Sequence, residues 1–271
     1  MKDPIVSSHW LKEELNNPNL VILDASQPTN IGGITSDFDS LQIKGARFFD
    51  LKNSFSDKNS PYPNMLPSEE QFQAESRKLG INSDSIIVVY DNLGVYTSPR
   101  VWWMFKTMGH DAVFVLDGGL PQWSQDGYET EEKIDHPSLD GNFKARIRPE
   151  MVKDFQFVKA NIVDNNALVI DARSSGRFNG TAPEPRKDLR SGSIPNSVNI
   201  PYEEVLEEGK YKSKKALQKL FQERNINDQP LVFSCGSGIT ACIVLLASEL
   251  IQENKKSVYD GSWTEWAQLE N

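Results

Sequence analysis

The sequence predicts an α/β protein with two tandem domains, each a mostly parallel sheet flanked by helices. Short apolar runs rich in Val and Ile occur at 86–90, 113–116, 168–170 and 231–233. Runs of this kind are typical of strands that are buried on both faces of a sheet. Helical segments separate them, and this alternation favours parallel strands.

The two halves of the chain repeat one another, which predicts two domains of the same fold. Four stretches of the first half recur in the second half in the same order. VILDAS resembles VIDARS, IKGARFFDL resembles SIPNSVNIPY, IIVVYDNLGVYTSPRVWW resembles PLVFSCGSGITACIVLL, and VFVLDGGLPQW resembles SVYDGSWTEW. A polar stretch rich in Asp, Gly and Pro lies between the halves, as expected of an exposed linker. The predicted domains are therefore 1–138 and 151–271, joined by a linker at 139–150.

Composition excludes several classes of function. The net charge of −9 argues against a protein that coats nucleic acid or an anionic membrane. No stretch of the sequence is apolar enough to span a bilayer, and the N-terminal residues have no secretory h-region. The histidines, His9, His110 and His136, have no metal-ligand spacing, so we expect no metal site. Two cysteines without an export signal indicate thiols in a reducing cytoplasm.

Cys235 follows an apolar strand and begins the loop CGSGIT, which leads into a second apolar segment. A free cysteine is often only a small buried hydrophobe. Here, however, a helix N-terminus would offer free N–H groups and a positive dipole end to a thiolate. Two glycines permit a tight loop whose N–H groups converge on one sulfur. We therefore expect Cys235 to be a nucleophile, with a backbone cradle formed by Gly236, Ser237, Gly238, Ile239 and Thr240.

Two comparisons sharpen this expectation. Cys242 lies farther along the same segment, among Ile, Val and Leu, and is interpreted as core packing. In the first half, Asp91 aligns with Cys235 and Gly94 with Gly238, so the first domain keeps the loop without the thiol. Cysteine-dependent phosphatases carry an arginine six positions after the cysteine, but Ala241 stands there, which argues against hydrolysis of phosphate esters.

Several stretches together resemble the rhodanese superfamily of sulfurtransferases, in particular its two-domain 3-mercaptopyruvate sulfurtransferase branch. The resemblance covers essentially the whole chain. It rests on GARFFD, SPRVWWMF, LDGG, GRFNGTAPEPR, SGSIPNS, CGSGIT and YDGSW.

The resemblance implies an enzyme that uses Cys235 in covalent catalysis and needs no cofactor. Cys235 would take sulfur from a small anionic donor such as 3-mercaptopyruvate. It would then pass this sulfur to a thiol acceptor, for example a thioredoxin-like protein. Arg177 and Arg186 match the positions that grip the donor's carboxylate and keto oxygen, which suits the planar guanidinium fork. Nucleic acid and membrane are not expected partners.

The chain departs from the family pattern at two places. An acidic residue is expected shortly after Asp50, but Lys52 and Asn53 occupy that region. A histidine common before MLP is replaced by Asn64. These departures affect an expected relay to Ser237, but they leave the thiol, the cradle and the arginines unchanged.

Two other functions stay open from the sequence. A thiosulfate:cyanide sulfurtransferase would use the same thiol, although the neutral Gly236 and Ser237 favour a donor with a single negative charge. A non-catalytic sulfur carrier would form a persulfide without turnover.

Overall fold

The computed structural model describes residues 3–28, 33–134 and 137–270. His136, considered above as a metal ligand, lies outside these residues. The chain forms two compact units. The first comprises the chain up to Lys58, Leu66–Arg148 and Glu208–Lys210, and the second comprises Asn59–Met65, Pro149–Glu207 and the chain from Tyr211.

The first half of the chain contains seven strands and four helices among the described residues. The strands are β1 (Ile5–Val6), β2 (Leu20–Asp24), β3 (Leu41–Ile43), β4 (Arg47–Phe48), β5 (Ile86–Tyr90), β6 (Val113–Leu116) and β7 (Thr130–Glu132). The helices are α1 (Ser8–Glu14), α2 (Glu69–Lys78), α3 (Ser98–Thr107) and α4 (Gly119–Gln125).

The main sheet of the first unit is parallel, with the strand order β1-β6-β5-β2-β4. Its central strands β5 and β6 are buried almost throughout, as their apolar runs predict. A separate antiparallel pair joins β3 to β7. Because β2 and β5 are neighbours, the segments that follow Asp24 and Tyr90 leave the sheet at the same edge.

The second half contains a further seven strands and five helices among the described residues. The strands are β8 (Val152–Lys153), β9 (Leu168–Asp171), β10 (Val198–Asn199), β11 (Leu206–Glu207), β12 (Lys210–Tyr211), β13 (Leu231–Ser234) and β14 (Lys256–Tyr259). The helices are α5 (Phe155–Asp164), α6 (Ser175–Phe178), α7 (Lys214–Glu223), α8 (Thr240–Glu249) and α9 (Ser262–Leu269).

The main sheet of the second unit is also parallel, with the strand order β10-β9-β13-β14-β8. Strand β13 lies between β9 and β14, and Ser234 at its end is paired with Asp171 at the end of β9. The loops that follow these three strands therefore meet at one edge, where open α/β sheets bind ligands. The prediction of two α/β domains with mostly parallel sheets is confirmed.

The segment 139–150, predicted to be a linker, follows the first unit as far as Arg148. The N–H of Gly141 donates to the carbonyl of Arg77 over 3.0 Å, and the N–H of Phe143 donates to that of Ile81 over 3.0 Å. The Phe143 ring is buried between the rings of Phe72 and Phe105. A segment with polar composition thus contains one apolar anchor.

Within the described ranges, every helix is too short or too polar to cross a bilayer. In the same part of the chain, three or more His, Cys, Asp or Glu side chains nowhere form a group that could hold a metal ion.

Candidate active site

Cys235 lies directly after β13, at the edge where three strands of the second sheet end. The residue is 2% exposed. Its N–H donates to Ser262 Oγ over 3.1 Å, and its carbonyl accepts from the N–H of Trp263 over 2.9 Å. Both partners come from the start of α9, so the turn after β14 fixes the backbone of Cys235 on both sides.

The loop after Cys235 is held by the same turn and leads directly into α8. The carbonyl of Gly236 accepts from the N–H of Thr264 over 3.0 Å and from its Oγ1 over 2.6 Å. Gly238 has a φ of +78°, a conformation that L side chains rarely adopt. Ile239 is the N-cap of α8, which begins at Thr240. The predicted cradle residues therefore form one short loop ending at a helix N-terminus, the end that favours negative charge.

Cys242 lies in the first turn of α8 and is fully buried. Its Sγ donates to the carbonyl of Gly238 over 3.3 Å. The two cysteines are both reduced. The chain thus places one thiol at the loop and one inside the helix behind it.

Arg177 and Arg186 both approach the cysteine loop at Gly236. A Cβ placed on Gly236 would lie 3.0 Å from Arg177 Nη2 and 3.9 Å from Arg186 Nη1. A larger residue at this position would therefore displace a guanidinium. The two arginines, chosen from the sequence as ligands for the donor, lie together beside the predicted cradle.

Arg177 is fixed by Glu184, a residue that the sequence analysis did not single out. Glu184 Oε2 accepts from Arg177 Nη2 over 2.6 Å, and its Oε1 accepts from Arg173 Nη1 over 2.7 Å. Arg173 in turn bonds the carboxylate of Asp171 and stacks on the Trp263 ring at 4.2 Å. Arg173, Glu184 and Asp171 have side chains that are at most 1% exposed. This buried row of alternating charges fixes the position of Arg177, which is itself 20% exposed.

Arg186 is half-buried and contacts the loop from another direction. Its Nη1 donates to Thr264 Oγ1 over 3.2 Å and its Nη2 to Ser237 Oγ over 3.4 Å. Burial lowers the pKa of Arg186 from its ordinary value, while the nearby Cys235 acts in the opposite direction and Arg177 adds to the lowering. An arginine stays protonated despite such a shift. It therefore presents a positive charge to the sulfur of Cys235.

Ser237 accepts two hydrogen bonds at its hydroxyl oxygen. One comes from Arg186, and the other comes from Asn64 Nδ2 over 3.0 Å. A hydroxyl has two lone pairs and one proton, so two donors at the oxygen direct that proton elsewhere. Asn64 belongs to the segment Asn59–Met65, which is grouped with the second unit. Ser237 is thus oriented as a donor by two groups that do not need to lose a proton.

The residues near Asp50, where the family pattern would place an acid, form a local turn in the first unit. Asp50 Oδ1 accepts from the N–H of Asn53 over 3.0 Å and from its side-chain amide over 3.1 Å. Asp50 has a structural contact here.

Sequence reasoning missed three residues that shape this site: Glu184, Ser262 and Thr264. Glu184 lies between two arginines within GRFNGTAPEPR, a spacing that offered a signal. Ser262 and Thr264 offered none, because their contacts depend on β14 lying beside β13.

Comparison with known proteins identifies the family of the chain. The rhodanese-like domain family matches residues 7–126 and again residues 154–269. The 3-mercaptopyruvate sulfurtransferase of Homo sapiens is 40% identical over 97% of this chain and 91% of its own length. That of Escherichia coli strain K12 is 38% identical over 96% of this chain and 94% of its own. The mitochondrial thiosulfate/3-mercaptopyruvate sulfurtransferase 1 of Arabidopsis thaliana is 39% identical over 98% of this chain and 76% of its own.

Solved structures are similar over nearly the whole chain as well. The crystal structure of SseA from Escherichia coli, a 3-mercaptopyruvate sulfurtransferase, superposes with a TM-score of 0.84 at 36% identity and covers 96% of this chain and 98% of its own. The Tum1 protein of Saccharomyces cerevisiae gives a TM-score of 0.87 at 29% identity, with 98% and 95% covered. The chain belongs to the rhodanese-like family, as a two-domain sulfurtransferase enzyme of the 3-mercaptopyruvate sulfurtransferase group.

Proposed function

We propose that the chain moves a sulfur atom from 3-mercaptopyruvate, through a persulfide on Cys235, to a thiol acceptor, and that it releases pyruvate. One observation carries this proposal. The cysteine that begins the loop leading into α8 has two guanidinium groups beside the next residue of that loop, Gly236. A nucleophilic sulfur and a ligand for a carboxylate are therefore adjacent, as a donor with both a thiol and a carboxylate requires.

In the first step, the Cys235 thiolate attacks the sulfur of the donor. A sulfur–sulfur bond forms as the donor's carbon–sulfur bond breaks, and the electron pair leaves as the enolate of pyruvate. The donor's thiol proton ends on the methyl carbon of pyruvate, and Cys235 holds the persulfide anion. Arg177 and Arg186 would bind the donor's carboxylate and keto oxygen, stabilising the enolate charge as it develops.

In the second step, an acceptor thiolate attacks the outer sulfur of the persulfide. The sulfur–sulfur bond to Cys235 breaks, the Cys235 thiolate is regenerated, and the acceptor leaves as a persulfide. The loop from Gly236 to Thr240 and the Ser237 hydroxyl would stabilise negative charge on sulfur in both steps. A small reduced protein of the thioredoxin class is the acceptor we propose.

If Cys235 is the nucleophile, the two domains have different roles. Residues 151–271 would form the catalytic domain. Residues 1–138 would form a domain without a nucleophile, since Asp91 stands where the second domain has Cys235. A cycle that depends on a reduced cysteine suits the cytoplasm, which we propose as the compartment. Imaging of the tagged full chain tests this location.

The proposal is tested by pyruvate release from 3-mercaptopyruvate with dithiothreitol as acceptor, together with mass spectrometry of the protein after donor is added alone. Wild type is expected to release pyruvate over many cycles and to gain one sulfur atom on Cys235. Cys235→Ser is expected to do neither. Cys242→Ser is the matched control, because it removes the other thiol and keeps a donor to the carbonyl of Gly238. Activity retained by Cys235→Ser would refute the proposal.

Thiosulfate is the second donor to be measured, because one relative carries both donors in its name. Thiosulfate is a dianion, whereas the two residues that follow the thiol in the sequence, Gly236 and Ser237, carry no charge. We therefore expect a higher kcat/KM with 3-mercaptopyruvate than with thiosulfate. The ratio of the two kcat/KM values measures the specificity for the donor. A higher value with thiosulfate would reverse the assignment of the donor. A single persulfide without turnover would indicate a carrier.

A further inference from the structure

The first unit contains a cleft at the edge of its sheet that the sulfur-transfer chemistry does not use. The cleft has a volume of about 400 Å³. Ser26 and Asn92, which line it, follow the strands β2 and β5, and Lys133 follows β7. This is the carboxyl edge of the parallel strands, where α/β sheets bind ligands.

Lys133, which lines the cleft, forms an ion pair with the buried carboxylate of Asp24. Lys133 Nζ lies 3.4 Å from Asp24 Oδ2, and the Asp24 side chain is 1% exposed while that of Lys133 is 32% exposed. Burial raises the pKa of Asp24, and the neighbouring Lys133 opposes this effect. An ion pair of this kind fixes the lysine and leaves part of its side chain open to the cleft.

A negative charge is fixed in the lining as well. The side-chain amide of Asn92, a residue that is 5% exposed, donates to Asp39 Oδ1 over 2.6 Å. The carbonyl of Asn92 accepts from Ser36 Oγ over 2.6 Å. An exposed carboxylate is thus held by a buried amide, within the same cleft as the lysine.

A further feature of the cleft indicates a ligand. Phe48 and Ile134, which also line the cleft, are 40% and 51% exposed. Large apolar side chains exposed together mark binding surfaces.

The loop of this unit that corresponds to the Cys235 loop begins with Asp91 and contains no thiol. The carboxylate of Asp91 fills that loop by accepting from the N–H groups of Tyr96, Thr97 and Ser98, each over 2.9 Å. The cleft is therefore suited to binding without catalysis.

We propose that this cleft binds a free amino acid with an apolar side chain. The carboxylate of the ligand would pair with Lys133 and its ammonium group with Asp39, while its side chain would cover Phe48 and Ile134. A zwitterion fits because the lining presents one charge of each sign and an apolar wall.

Isothermal titration of the full chain with leucine, isocaproate and isoamylamine tests the proposal. Isocaproate lacks the ammonium group of leucine, and isoamylamine lacks its carboxylate. Leucine is expected to bind at millimolar concentration or below, and each partial ligand to bind at least about tenfold more weakly. Lys133→Gln and Asp39→Asn are each expected to weaken leucine binding about tenfold.

Three controls make the outcome decisive. Lys44→Gln removes an exposed lysine of the same unit, paired with Glu129 over 2.7 Å, and is expected to bind leucine like wild type. Cys235→Ser is expected to do the same, which separates this cleft from the catalytic loop. If Lys133→Gln does not fold, Ile134→Asp at an exposed position is expected to weaken leucine binding instead. No binding at millimolar leucine, equal binding of the partial ligands, or binding lost in Cys235→Ser would each overturn the proposal.

Discussion

The loops that begin at Asp91 and at Cys235 have the same place in the two units, but they differ in the group that their first residue supplies. Each loop follows a central strand, contains a glycine with positive φ three positions later, and leads into a helix. In the first unit, the position that Cys235 has in the second unit is occupied by Asp91, whose side chain is a carboxylate. Asp91 Oδ2 accepts three backbone N–H groups and Ser98 Oγ, and Asp91 Oδ1 accepts the N–H of Leu93.

The two loops differ in the group that their backbone N–H groups can bind. In the first unit, the turn between strand and helix closes around a carboxylate, so the N–H groups of the backbone are satisfied internally. Helix α3 starts at Ser98, seven positions after Asp91, whereas α8 starts at Thr240, five positions after Cys235. The second unit has the shorter loop, a thiol, and two arginines outside it. On the function proposed above, this loop would meet a negative charge that arrives with the substrate.

The largest effect that would test this comparison is expected from Arg186→Gln. This arginine is the cation whose pKa responds to Cys235, and it also donates to Ser237. Its loss is expected to lower kcat/KM for 3-mercaptopyruvate about 1000-fold, roughly 4 kcal/mol, as for removal of a charge-assisted contact in the transition state. Steady-state pyruvate release measures it. Lys187→Gln, at an exposed neighbour, is the control, and equal activity of the two variants would show that the loop needs no external cation.

An intermediate effect is expected on stability from Asp91→Ala. The change leaves three buried N–H groups and a hydroxyl without their acceptor, so the free energy of unfolding is expected to fall by about 3 kcal/mol. Chemical denaturation of the full chain, followed by hydrogen exchange of backbone amides in the first unit, measures the fall. Asp84→Ala, at an exposed position, is the matched control. A loss no larger than that of the control would mean that the carboxylate is not what stabilises this loop.

The smallest effect is expected at Asn64, whose amide orients Ser237. Asn64 has a φ of +62°, so glycine is the replacement that keeps the backbone while removing the amide. Asn64→Gly is expected to lower kcat about tenfold, close to the 1.4 kcal/mol of one hydrogen bond. Asn64→Asp should lower it further, because a carboxylate would accept the Ser237 proton and turn it away from the sulfur. An Asp variant as active as wild type would contradict the orientation of Ser237 given above.

The strands and the glycine-containing loop that begins at Cys235 could be predicted from the sequence because both depend on local pattern. The run at 86–90 is strand β5 and the run at 113–116 is β6, since a buried parallel strand needs continuous apolar residues. Cys235 was recognisable from the glycines that follow it, and Asp91 from the repeat. The strand and cysteine-loop signals are local, and the repeat adds a comparison of similar short stretches in the two halves.

The supports of the site could not be predicted, because they depend on distant segments. Ser237 and Asn64 are 173 positions apart, and only the folded path of the segment Asn59–Met65 brings them together. The contact of Thr264 with Gly236 requires the order of strands in the sheet. Glu184 is the exception, because its partners lie nearby in the sequence and its spacing offered a signal, although the pairing of one carboxylate with two guanidinium groups is seen only in the folded loop between α6 and β10.

The carboxylate of Glu184 has a consequence for how the enzyme responds to its medium. Arg173 and Arg177 pair with the buried carboxylates of Asp171 and Glu184, and Arg186 adds a third positive charge beside the cysteine loop. A bound monocarboxylate would neutralise this charge. Spent product and simple buffer anions would therefore compete with the donor, and the apparent KM would rise with acetate or chloride concentration. The occupancy of the site between turnovers would then depend on the salts in the medium.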